Sequence, residues 1–285
     1  MLALLLVMLV ATACRRSEDT AQPLVTPSVT VPTGDVLIGS PIEMTYRFAV
    51  APGATFGEDY TVFVHFLDTA REIMWTDDHQ PPTPTSHWKA GSTIEYTRTM
   101  FVPKFPYTGE TRVELGLVSA KTGERVPMAA ETPGLREYLV GTFTLASQGD
   151  AHLVVFKDGW QPVEVAAEGL ATEWQWSRGE GVLSFKNPGR DATLFLQLDQ
   201  PLKEAGPQQV HIRIGQGDVD TFAVGTGAEV LRKTPLSKDQ LGTAEMVDIT
   251  VAVERTFVPA TIPGFNSRDS RELGVRVFRA YLQPK

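Results

Sequence analysis

Between Val62 and Trp88 the chain reads VFVHFLDTAREIMWTDDHQPPTPTSHW, which places His65, Asp68, Asp77, Asp78, His79 and His87 in one short span. Imidazoles and carboxylates at that density are the donor set of a metal-dependent hydrolase, here centred on His65, Asp77, Asp78, His79 and His87. Zinc sites take their ligands from firm elements at spacings such as His-x3-His, and the segment offers neither. Tyr60 to Leu67 reads as a strand with two apolar faces: His65 lies beside Phe63 and Leu67, and Tyr60, Val62, Val64 and Phe66 lie opposite. Such a strand is central in its sheet, and His65 is expected to pack half-buried. Pro81, Pro82 and Pro84 cannot donate ladder hydrogen bonds, so the stretch from Asp77 to His87 is expected to be a surface loop anchored by Trp88. On that reading, replacing Asp77, Asp78 and His79 by alanine removes only exposed polar groups. No metal ligand and no cofactor is expected.

Other chemistries find less support. There is no Gly-x-Ser-x-Gly turn for a nucleophilic serine. The glycine-rich GQGDVDTFAVGTG, residues 215–227, runs into a strand, where a phosphate cradle needs a helix start. Asp218 with Asp220, or Asp248 with Glu254, offer paired carboxylates, but only their separation would decide a glycosidase role. Asp191 and Asp199 flank a strand and offer oxygens to a structural calcium, though two carboxylates are a thin ligand set. The tryptophans invite sugar stacking: Trp174 and Trp176 share a strand face, which puts at least one in the core, and Trp160, between Gly159 and Pro162, is the better exposed candidate. Arg268, Asp269, Arg271 and Glu272 either pair with one another or supply polar contacts to a ligand. The chain is therefore read as a non-enzyme, with Trp160, Arg268, Asp269, Arg271 and Glu272 as the ligand-binding set.

These residues need elements to hold them. With 285 residues, 42% of them hydrophobic, the chain can bury two cores of ordinary size. Its net charge of -8 and its lack of any basic run beyond Arg15-Arg16 argue against nucleic acid as a partner. The apolar run Leu2 to Ala13 is shorter than the roughly 20 residues that cross a bilayer as a helix. It ends at Ala11-Thr12-Ala13 and the sole cysteine, Cys14. The segment resembles a bacterial lipoprotein signal, with ATAC as the lipobox, though no Lys or Arg precedes its apolar run. The resemblance implies acylation of Cys14, a membrane partner through that lipid, and a place in the cell envelope facing the periplasm or the exterior. With Cys14 acylated, no thiol is left for a disulfide.

Residues 1–14 are thus read as the signal segment and 15–34, rich in Pro and Thr, as a tether. From Pro41 a strict alternation begins, Ile42, Met44, Tyr46, Phe48 and Val50 against Glu43, Thr45 and Arg47. Further strands are expected over 60–67, 93–102, 112–118 and 138–145, then, past a polar break near Gln148, over 209–214, 221–224, 247–253 and 273–282, with apolar stripes at Leu183/Phe185 and Ala192 to Leu198. The fold class is all-β, two β-sandwich domains over 35–147 and 148–285. Through YTVFVHFLD, PTSHW and ELGLVSAKTGERVPM the first is similar to immunoglobulin-like modules. Through Gly159-Trp160, EWQWSRGEGVLSFKNPG, QQVHIRIGQGDVDTF and the run from Phe257 to Leu282 the second resembles galactose-binding-like jelly rolls of bacterial envelope and carbohydrate-related proteins. The likeness implies an accessory protein that binds a glycan or a glycan-handling partner; the alternative is a scaffold that docks envelope proteins only.

Overall fold

The structure, a computed structural model, describes residues 21–132, 134–166 and 172–285. Cys14, the signal segment and the first part of the expected tether lie outside the described residues. In the first half the strands are β1 (Val25–Thr30), β2 (Asp35–Leu37), β3 (Pro41–Val50), β4 (Tyr60–Leu67), β5 (Ile73–Thr76), β6 (Thr93–Phe101), β7 (Gly109–Ser119) and β8 (Tyr138–Ala146). In the second they are β9 (Val154–Phe156), β10 (Glu164–Val165), β11 (Glu173–Trp176), β12 (Glu180–Lys186), β13 (Ala192–Asp199), β14 (Gln208–Ile214), β15 (Gly217–Val224), β16 (Glu229–Leu236), β17 (Met246–Val253) and β18 (Arg276–Pro284). The chain is all-β, as its alternating sequence requires. Among the described residues no helix is long and apolar enough to cross a membrane.

The first half folds as a sheet β1-β3-β6 over a sheet β2-β8-β7-β4-β5. On β3 the alternation works as expected: Ile42, Met44, Tyr46, Phe48 and Val50 are at most 4% exposed, and they meet Val64, Phe66, Leu115 and Leu117 of the other sheet in one core. Each such aliphatic side chain removed from water contributes about 1.5–3 kcal/mol before the entropy of ordering is counted. The second half sets β10-β11-β18-β13-β16 over β15-β14-β17-β12-β9, around a separate core in which Leu194, Leu196 and Leu198 face Leu183, Ile212 and Val251. Ser147 to Gly149 lies between the two cores.

The stretch read as a tether is partly sheet. β1 pairs with β3 from Val25↔Val50 to Thr30↔Thr45, burying Val25 and Pro27. Proline and threonine there suggested an extended linker, but β1 is an edge strand, where Pro27 forfeits no ladder bond that matters.

Candidate functional site

The opening stretch is not the exposed loop its prolines imply. β4 runs over the expected residues, and His65 sits half-buried with its ring 5.1 Å from Phe63. Past β5 the chain keeps pairing with β4, the Asp77 amide donating to the Val64 carbonyl and His79 lying opposite Val62. There Asp77 accepts a bidentate pair from Arg98 on β6, Nε at 2.8 Å and Nη2 at 2.7 Å, and a 3.3 Å bond from the Tyr46 hydroxyl on β3. His79 is only 8% exposed. Its Nδ1 lies 2.7 Å from the Asp77 carbonyl, an acceptor alone, so Nδ1 carries the proton and Nε2 accepts from the Tyr96 hydroxyl at 2.8 Å. Burial lowers the His79 pKa, which fixes the neutral ring. It also pushes the Tyr46 and Tyr96 phenols far above their usual range, while hydrogen bonding to Asp77 raises Arg98 further. Asp78 caps the Val64 amide at 3.0 Å, and His87 is exposed. Trp88 anchors the segment, 4% exposed, against Phe48 and Phe56. These groups are spent on joining two sheets. Among the described residues no three of His, Cys, Asp and Glu gather where they could hold an ion.

The expected ligand-binding set is largely engaged within the fold, with Gln161, next to Trp160, donating to the Glu272 carbonyl at 3.0 Å. Trp160 is 8% exposed, a correction to its reading as the accessible tryptophan. Its indole lies over Gly181, whose absent side chain leaves room for the ring, and its Nε1 donates to the Val182 carbonyl at 2.8 Å. Beside it Gly159, at φ 82°, passes so close to β12 that a Cβ would stand 1.7 Å from the Glu180 oxygen. The Gly-Trp pair closes the sandwich. Asp269 and Arg271 pair, Nη2 to Oδ2 at 2.6 Å, and Arg271 also donates to Glu164 at 2.6 Å. The guanidinium holds the Asp269 carboxyl below its ordinary range. Glu272 accepts from Thr256 at 2.6 Å, and Arg268 is exposed. The other acids are occupied in the same way: Asp199 by Arg276, Asp220 by Arg232, Asp218 by Arg213, Asp248 by Lys157, and Asp191 by the Lys238 amide.

A concavity lies elsewhere, where the two sandwiches meet. A crevice of about 420 Å³ opens between β9 on one sheet of the second sandwich and β11 with β18 on the other. Ile38, Gly39, Lys104 and the connecting residues Ser147 and Gln148 complete its wall. Lys104 reaches Glu173 at 2.9 Å across the junction, and Lys233 pairs with Glu43 beside it. Trp174 lines the crevice, half-buried. Its Nε1 bonds Glu164 at 3.1 Å, and the Arg276 guanidinium lies 5.0 Å from the ring centre, held by Asp199. Arg279, from the next stretch of β18, makes one hydrogen bond, Nη1 to the Phe278 carbonyl at 3.1 Å. Burial, opposed by Glu173 and Glu229, sets its pKa below the usual guanidinium value. Among the described residues the side chains of Gln148 and Gln175 make no hydrogen bond, although both are half-buried. An aromatic side chain, two carboxamides and a guanidinium with donors to spare can hold a polar ring compound.

Sequence reasoning had Trp174 in view only as half of a pair. Arg279 and the two glutamines went unseen. The available signal was the pair of arginines in the otherwise apolar RVFRAYL.

No family model matches the chain, and no curated protein matches it either. Solved structures give low scores. An alkylpurine DNA glycosylase from Pseudomonas fluorescens shares 14% identity over 44% of this chain and 31% of its own, with a TM-score of 0.29. The chain thus spans about a third of that enzyme. A CBM36 domain of a xylanase from the hindgut metagenome of Trinervitermes trinervoides shares 8% identity over 47% of this chain and 97% of its own, with a TM-score of 0.28. The exo-β-1,3-galactanase of Phanerochaete chrysosporium shares 8% identity over 91% and 57%, with a TM-score of 0.30. At these scores the likeness carries no argument about what the crevice binds.

Proposed function

We propose that the chain is a non-catalytic glycan-binding protein of the cell envelope, tethered by a lipid on Cys14, whose ligand sits in the crevice between the two sandwiches. Its first domain is read as immunoglobulin-like, which the three-on-five strand order supports, and its second as a galactose-binding-like jelly roll, which five strands on five support. The observation that carries the functional reading is the crevice lining, with the Trp174 indole beside Gln148, Gln175 and Arg279, whose hydrogen-bonding capacity is largely unused. Sugars are bound by that combination, a ring face against their C–H groups and directed polar groups on their hydroxyls.

The test is a glycan array probed with residues 15–285, which retain every described strand. Binding is expected, and Trp174→Ala should weaken it about tenfold, the value of one aromatic contact plus its buried area. An array on which nothing binds in a Trp174-dependent way would remove the reading. A protein-docking role has its own support, because Leu153, Val155, Val163 and Val165 are all at least half exposed on or beside the edge strands β9 and β10. Aliphatic groups on a sheet edge suit an added strand better than a sugar. On that reading Val155→Lys would abolish partner capture and leave the array unchanged.

A further inference from the structure

Most half-buried arginines of the two sandwiches sit in ion pairs, Arg98, Arg232 and Arg276 among them, and in the crevice one does not. Lys104 and Glu173 neutralise each other at its rim. Arg276 beneath Trp174 is neutralised by Asp199. Arg279 faces the same space without an ion pair. The two carboxylates nearest in effect are Glu173, taken by Lys104, and Glu229, hydrogen-bonded by Gln197. His152, stacked on Tyr281 with ring centres 5.7 Å apart, adds no negative charge to the wall. Within the lining itself Lys104 and Glu173 cancel and Arg279 is left over, while Glu229, whose partner Gln197 is neutral, lies outside the wall.

A guanidinium is a planar fork of five donors that matches a carboxylate or phosphate edge, and this one uses a single donor on a carbonyl. Taken partly out of water, with Glu173 and Glu229 acting on it but neither in ion-pair contact, it gains more from an anion than from a neutral hydroxyl. Gln148 and Gln175, lining the same crevice, donate as readily to ring hydroxyls as to an acid.

From this geometry we infer that the crevice selects an acidic sugar, one bearing a carboxylate or phosphate that seats on Arg279 while its ring lies against Trp174. The inference rests on the glycan-binding reading and sharpens it. It adds a class of ligand, and a division of labour in which Trp174 supplies affinity and Arg279 supplies charge selection.

The test is a matched comparison. Residues 15–285 are titrated with uronate- and phosphate-bearing oligosaccharides and with the same oligosaccharides esterified so that the ring is kept and the charge removed. The unaltered protein is expected to bind the acids at least about tenfold more tightly than the esters, with the difference shrinking as salt rises. Arg279→Gln should bring the acid-to-ester ratio to about one, Arg279→Lys should keep part of it, and Trp174→Ala should weaken acid and ester alike. The acid-to-ester ratio of the unaltered protein stands even if Arg279→Gln fails to fold. Equal binding of acids and esters, or a ratio untouched by Arg279→Gln, would overturn the inference and leave glycan binding standing. Binding of neither form would remove both. The phosphate and carboxylate arms tell the two acid chemistries apart.

Discussion

Asp77 shows how one carboxylate can be mistaken for a catalyst. It lies among a histidine, two tyrosines and an arginine, the inventory of many active sites, yet every one of those groups is hydrogen-bonded to another of them. The consequence is mechanical, and it reverses the expectation of a dispensable loop. Asp77→Ala leaves Arg98, itself a third exposed, without its partner and should cost about 2–3 kcal/mol, the range for hydrogen bonds to charged groups. Trp88→Ala should cost about 3–5 kcal/mol. Chemical denaturation of both variants checks the pair, and an Asp77→Ala effect near zero would mean the segment is a free loop after all. His79 adds a pH dependence. Burial holds its folded pKa below its unfolded value near 6.5, so the unfolded chain binds the extra proton first. Stability is therefore full above that value and falls as pH drops below it toward the folded pKa. Unfolding measured between pH 8 and pH 5 should show that loss, and His79→Gln should flatten it.

At the scale of elements, β3 and β13 were plain in the sequence because a period of two with one apolar face leaves no other way to bury Tyr46 and Phe48, or Leu194 and Leu196. Others were hidden for physical reasons. β16 carries Arg232, Lys233 and Pro235, a composition that reads as a surface turn, and it survives because it is an edge strand whose Arg232 is drawn to Asp220. The short strands β9 and β10 have too few residues to show any period. The crevice was illegible for a related reason: its wall comes from residues near 38, 104, 148, 175 and 279, brought together only by sheet topology. Trp160 misled because a tryptophan next to glycine looks exposed, whereas Gly159 and Gly181 are the space it packs into. Gly159→Ala makes that concrete. Its positive φ and the Glu180 carbonyl 1.7 Å from the new Cβ should cost at least about 2 kcal/mol, and the loss should fall on the second sandwich alone. Equal destabilisation of both halves, read by segment-resolved hydrogen exchange, would contradict the account of Gly159-Trp160 as a closure of the second core.

For the whole molecule the question is how firmly the halves are joined. Among the described residues the charged contacts across the junction are the pairs Lys104–Glu173 and Lys233–Glu43, all four side chains substantially exposed. Pairs of that kind are worth about 0–1 kcal/mol each and are screened by salt, so they orient the sandwiches without fusing them. Two separate cores with so light a clasp should unfold in two calorimetric transitions, and fragments ending at Ser147 and beginning at Gly149 should each fold cooperatively. A single transition in the full chain would mean that the junction holds far more than two surface pairs. The crevice turns the same experiment into a locator. A ligand seated between Lys104 and Gln148 on one side and Trp174 and Arg279 on the other touches both halves, and at a hundred times its Kd it adds about 2.7 kcal/mol to whatever must be intact for binding. Both transitions should therefore rise together and draw closer as ligand is added. A ligand that lifts only the upper or only the lower transition would place its site within one sandwich and detach it from the junction.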